Sequence, residues 1–220
     1  MKRQSRGRSE MDENLQDNTF GMWAAVSALA ASIAYGIPQL LQVAGVLGDP
    51  WDRILIFAPS LTLAPAFVLT MVAVHITAPA SKQIWSLSAL ALAIMYAVLV
   101  SIAYVTQLGV VIPADLRGDG ARTEVLACCG AGQFLTAVDL LGYTMMSLST
   151  LFAVPVFMAN GQHRVVGLWL LANGVLAPFL IMQLAFPQLI YIGALWLITF
   201  PGSMLFLTLY FRSAEGEEDR

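Results

Sequence analysis

Between Arg164 and Arg212 the chain reads VVGLWLLANGVLAPFLIMQLAFPQLIYIGALWLITFPGSMLFLTLYF, residues 165–211, without one Asp, Glu, Lys, Arg or His. A bilayer core about 30 Å thick is crossed by about 20 apolar residues of helix. Forty-seven uncharged residues therefore hold two spans, with Phe186-Pro187 as the turn between them. The same gaps recur outward from this stretch. With histidine counted as neutral, nothing is ionised from Asp17 to Asp49, from Arg53 to Lys82 or from Lys82 to Asp115, and Asp139 is the only charge between Glu124 and Arg164.

Each of these gaps fits one helix, so the reading is all-α and polytopic. Six transmembrane helices in one bundle are expected at 20–45, 53–77, 84–111, 131–158, 165–185 and 189–211. Helices are forced because lipid offers no partner to an unpaired backbone group. A barrel would need polar/apolar alternation, and Leu87 to Val100 has none. Residues 1–19 form a polar tail with four basic and four acidic side chains, and 213–220 an acidic one. The first apolar run is too long for the h-region of a signal peptide and is expected to stay as an anchor.

Composition agrees. The 220 residues are 58% hydrophobic and 11% charged, with a mean hydropathy of +0.74. Soluble domains carry about 25% charged residues, so this chain lacks the ionic groups to cover a surface in water. An ordinary cytosolic enzyme, a disulfide scaffold and a nucleic-acid binder are excluded, and the lipid bilayer is the first partner. Lys and Arg favour the cytoplasmic side. Lys2, Arg3, Arg6, Arg8, Lys82, Arg164, Arg212 and Arg220 share one side, against Arg53, Arg117 and Arg122 on the other. Both termini are expected in the cytoplasm.

Recognisable chemistry is sparse. The adjacent pair Cys128-Cys129 reads as two small residues near a helix end, because neighbouring cysteines rarely bridge each other. No CxxC, HExxH, GxSxG or Walker pattern occurs, so no catalytic residue, metal or cofactor is assigned. His75 and His163 lie near one interface, where a haem would need them face to face. Pro38, Pro59, Pro65, Pro155, Pro178 and Pro201 fall inside predicted spans and read as bends or hinges. Ala24, Ala28, Ser32 and Gly36 recur every fourth residue of the first helix. Such a stripe suits close helix packing, or a seam with a second copy or membrane partner.

Asp139 is the only acid inside a span, and an intramembrane charge marks a functional site by default. Gln133, Thr136, Asp139, Tyr143, Ser147 and Thr150 share one helical face. Gln39 and Gln42 of the first helix, Tyr104 and Gln107 of the third, and Asn173 of the fifth are polar too. By helix direction most of these lie in the outer half. The expected site is an outward-facing pocket around Asp139, lined by Tyr143, Gln133, Gln39, Gln42, Tyr104, Gln107 and Asn173, for a small polar or cationic ligand. A small transporter or ligand-binding protein is favoured over a non-catalytic subunit or sensor. An enzyme is the weakest reading, since one acid with no histidine or cysteine beside it is a thin catalytic set. Leu63-Ala64-Pro65 recurs as Leu176-Ala177-Pro178, which would make an inverted three-plus-three repeat of the kind transporters use.

Pro38-Gln39-Leu40-Leu41-Gln42, Ala58-Pro59-Ser60, Tyr143 to Ser149, Leu171-Ala172-Asn173-Gly174, and Gly193 to Trp196 with Thr199-Phe200-Pro201 resemble stretches of small bacterial six-helix membrane proteins classed as domains of unknown function. The resemblance spans most of 20–212. It implies the fold and the bacterial inner membrane, and no activity.

Overall fold

The computed structural model describes residues 2–130, 132–158 and 163–218, with side chains from residue 15 to 214 within those segments. No strand occurs among the described residues. Six stretches are long and apolar enough to cross a membrane: Leu15–Val43, Trp51–Ile76, Ala80–Leu116, Phe134–Phe157, Arg164–Met182 and Pro187–Ala214. The chain is a multi-pass membrane protein. Along the third span Ile94, Val98, Ile102 and Val105 are each about half exposed. Water would make such a face costly, whereas lipid tails cover it.

Among the described residues nine α-helices build the spans. They are α1 (Lys2–Val43), α2 (Trp51–Ile76), α3 (Gln83–Thr106), α4 (Ile112–Leu116), α5 (Phe134–Phe157), α6 (Arg164–Gly174), α7 (Ala177–Met182), α8 (Ile190–Gly193) and α9 (Trp196–Glu218). The helix of the first span already begins at Lys2, so the polar segment before residue 20 continues it rather than standing apart. The third span runs five residues past the expected 111, because a π-helical segment, Gln107–Val111, joins α3 to α4. The fourth starts at Phe134. Before it, Cys129 and Gly132 have φ of +82° and +77°, and Gln133 is extended, which no helix accommodates. The expected start at Ala131 lies outside the described residues.

The fifth and sixth spans are broken. Pro178 has no N–H for the Gly174 carbonyl, and α6 ends there before α7 resumes at Ala177. The other intramembrane prolines, Pro38, Pro59, Pro65, Pro155 and Pro201, sit inside continuous helices. The sixth span breaks between α8 and α9. Only residues 183–186 separate the two spans, and Pro187 starts the second, so this hairpin is as tight as expected.

Each span packs on the next, and the sixth returns to the first. Leu63, Phe67, Met71, Tyr96, Leu170, Phe200, Met204 and Leu207 fill the shared core. Glycine allows the closest crossings. A Cβ on Gly174 would stand 2.8 Å from the Cα of Leu151, and one on Gly142 would stand 2.7 Å from Val100 Cγ1. The small-residue stripe is used in the same way. Ala24, Ala28 and Ser32 are buried within the chain, and Gly36 faces Leu197. That face is not free for a second copy.

Asn173 ties three spans at the break. Its Nδ2 donates to Thr150 Oγ1 at 3.1 Å, and Thr199 Oγ1 donates to its Oδ1 at 3.0 Å. Asn173 is fully buried. Asn173→Ala leaves both hydroxyls without this partner and is expected to cost about 1–3 kcal/mol. Thermal unfolding of the detergent-solubilised chain measures it, and an unchanged midpoint refutes the role.

Candidate functional site

Six spans return both ends of the chain to one face. The 1–2, 3–4 and 5–6 connections lie on the opposite, far face. Asp139 occupies the second turn of α5, close to that far face. Tyr143 follows it by four residues and Ser147 by eight, so the three share one side of the helix. Aromatic side chains from four other elements meet them there. Tyr143 packs edge-on against Trp196 at 5.0 Å and tilts against Tyr96 at 6.2 Å. Tyr35 meets Trp196 at 5.7 Å, and Phe57 stacks on Tyr104 at 5.5 Å. Tyr104 Oη donates to Tyr143 Oη at 2.9 Å.

The Tyr104 hydroxyl also faces the Asp139 carboxyl, and Tyr35, Tyr96 and Tyr143 lie within its electrostatic reach. Asp139 thus has polar neighbours from the first and third spans. Tyr35, Tyr96 and Tyr104 are all phenols, and the glutamines expected beside it are elsewhere. Among the described residues, four buried side-chain polar atoms lack a hydrogen-bond partner: Asp139 Oδ1, Tyr96 Oη, Ser147 Oγ and Trp196 Nε1. All four belong to this cluster or to its helix face. Buried polar atoms are nearly always paired, so this concentration singles out the region.

The loop before α5 folds back over the acid. Gln107 holds it at two points, donating through Nε2 to the Leu126 carbonyl at 2.8 Å and accepting the Cys128 N–H through Oε1 at 3.2 Å. Thr136 Oγ1 accepts from the Cys129 N–H and donates to the Gly130 carbonyl, both at 2.8 Å. Gln133 Oε1 accepts from the Gly130 N–H at 2.8 Å. Cys128 and Cys129 are joined as a vicinal disulfide, contrary to the expectation of two unlinked small residues. The loop, not a helix end, carries them. One ligand atom from each of Cys128, Cys129 and Asp139 lies within 4.8 Å of the others. Chain reversal at Gly132 thus puts both cysteines beside Asp139, contrary to the expectation of an acid with no cysteine near it, and offers a metal-ligand set where none is expected.

The remaining predicted residues do not converge on Asp139. Gln39 Nε2 donates to Gln42 Oε1 at 3.0 Å, and Gln42 Nε2 donates to Asp52 Oδ2 at 2.8 Å. These three form a polar chain at the far end of the first two spans. Beside it Arg53 pairs with Asp49 at 2.5 Å and with Asp115 at 2.6 Å. Arg53, Asp115 and Glu124 line a surface pocket of about 270 Å³. Gln107 and Gln133 hold the cysteine loop, and Asn173 belongs to the Thr150–Thr199 link. Gln107 and Gln133 go where loop N–H and carbonyl groups need partners, which neither depth nor helix face resolves. His75 binds Ser86 Oγ at 2.9 Å, and His163 packs on Tyr210 at 4.8 Å, so each imidazole has its own neighbour. Trp196, Tyr35, Tyr96 and Ser147 complete the site. Ser147 follows Asp139 along its helix face, Tyr35 precedes Gln39 by four residues and Tyr96 precedes Tyr104 by eight, so helical spacing can find them, whereas nothing in the sequence marks Trp196.

Comparison with protein-family models, curated proteins and solved structures finds no match for this chain.

Proposed function

We propose that this protein binds a small cation, a proton or an inorganic ion, at Asp139 and carries it between the far face and the interior. The supporting observation is the gathering of unpaired buried polar atoms around the one intramembrane acid. Bilayer-buried acids of this kind mark ion pathways. Ring separations of 5.0–6.2 Å around Tyr143 leave the cluster packed, which favours a small ion over a larger solute. Breaks in the fifth and sixth spans and the π segment of the third interrupt regular helix, as in transporters with discontinuous helices. The cyclic packing order of the six spans is also what an inverted three-plus-three bundle would give.

The test is cation flux into liposomes holding the purified chain, followed with dyes for protons and sodium. Wild-type protein is expected to move one of these at least tenfold faster than Asp139→Asn, which keeps the shape and loses the charge. Equal flux from the two would overturn the reading.

In the proposed setting, a bacterial inner membrane, both termini are cytoplasmic and the far face is outward. A cysteine-directed label on Asp119→Cys is expected to react from outside intact cells. Reaction from the cytoplasmic side alone would reverse the orientation.

A further inference from the structure

We propose that Cys128, Cys129 and Asp139 form a redox-switched binding site for one thiophilic metal ion, open in the dithiol state and closed by the vicinal disulfide. The inference uses Asp139 but does not rest on the transport reading.

Three observations carry it. The sulfurs and a carboxylate oxygen lie within 4.8 Å of one another. Around one tetrahedral ion two thiolates stand about 3.8 Å apart, and a thiolate and a carboxylate oxygen about 3.5 Å apart, from ordinary zinc–ligand lengths. Once the S–S bond opens, a small separation of the sulfurs reaches that geometry. Second, Asp139 Oδ1 is fully buried and without a hydrogen-bond partner, so a ligand atom is already free of competing bonds. Third, the loop is built and held. Gln107, Gln133 and Thr136 fix its N–H groups, and Cys129 is kept at φ +82°, a conformation L residues seldom adopt. Backbone strain of this kind persists where the surroundings over-determine it, often at ligand sites.

Two thiolates and one carboxylate select soft and borderline ions such as Zn(II), Cu(I) or Cd(II) over Mg(II) or Ca(II). Cys129 is exposed, so a fourth position is left toward the far-face aqueous phase, where a water would complete the set. The switch balances chemically. A dithiol reductant gives two hydrogens to the disulfide and closes to its own disulfide, leaving two thiols. Metal binding then releases one proton from each to water. The disulfide removes both thiolates at once, so oxidation and metal binding exclude each other.

Cd(II) is the probe, added to the full chain in detergent and followed by thiolate-to-metal charge-transfer absorption and by equilibrium dialysis. A phosphine-reduced sample, cleared of reductant, is expected to take up one Cd(II) per chain. The oxidised sample should bind at least a hundredfold more weakly, a comparison that needs no variant. Cys128→Ser/Cys129→Ser should lose the absorption band, and Asp139→Asn should weaken binding about tenfold while keeping it. Equal uptake by reduced and oxidised protein, or a band that survives the double serine change, overturns the proposal. No uptake by the reduced chain overturns it as well. The double serine variant keeps Asp139, so cation flux measured on it judges the transport reading separately.

Discussion

Gly174→Val should leave little folded protein in the membrane. At this position a Cβ would lie 2.6 Å from Leu151 Cβ, 2.8 Å from its Cα and 2.9 Å from its backbone nitrogen. Helix backbone cannot swing aside as a flexible side chain can, so α5 and α6 would have to separate. Overpacking a core costs about 1–3 kcal/mol and more where the backbone must move, against a total stability of about 5–15 kcal/mol for a typical domain. Even Gly174→Ala should lower the unfolding midpoint substantially. Separation would also pull Asn173 from Thr150, since the two lie in the same crossing. Gly48→Ala, where a new Cβ meets nothing within 4 Å, is the control and should unfold like the parent. Thermal unfolding monitored by size-exclusion chromatography reads both. A Gly174→Ala protein as stable as the Gly48→Ala control would contradict the close crossing.

Asp139→Leu should do the opposite, raising or preserving stability while abolishing cation flux. Its Oδ1 is buried and unpaired, and an unsatisfied buried polar group costs about 1–3 kcal/mol. Tyr104 keeps its bond to Tyr143, so its hydroxyl hydrogen stays partnered after the exchange. The expected result is an unfolding midpoint at or above the parent's, with no ion movement above empty liposomes. An acid kept for stability gives the reverse pattern. A loss above about 1 kcal/mol with flux intact would assign Asp139 to scaffolding.

The six spans were legible because lipid punishes charge wherever it falls. The gaps between Asp17, Asp49, Arg53, Lys82, Asp115 and Arg164 had to be helices, and the structure moves their ends by only a few residues for the second, fourth and fifth. Larger departures lie where local backbone chemistry intervenes. The π segment after Thr106 and the positive φ values of Cys129 and Gly132 have no signature in hydropathy. Pro178 breaks its helix and Pro65 does not, although both follow Leu-Ala, so the local tripeptide does not decide the outcome.

For the site, sequence singled out Asp139 for a physical reason, since it is the only acid inside an expected span. Tyr143 came with it through helical spacing, and Tyr104 through depth. Gln39, Gln42 and Gln107 are grouped with it by depth alone and Gln133 by helix face, and neither says which way a flexible side chain turns. Gln39 and Gln42 turn to Asp52, while Gln107 and Gln133 turn to loop N–H groups that would otherwise go unpaired. Sequence by itself determined that this chain lives in lipid, how often it crosses and which residue is electrostatically exceptional, because those follow from the cost of charge in hydrocarbon. Tertiary structure decided what stands beside that residue. Cys128 and Cys129 reach Asp139, and Trp196 reaches Tyr143, only through chain reversals and helix crossings, and contacts between distant segments are set by packing rather than by local composition.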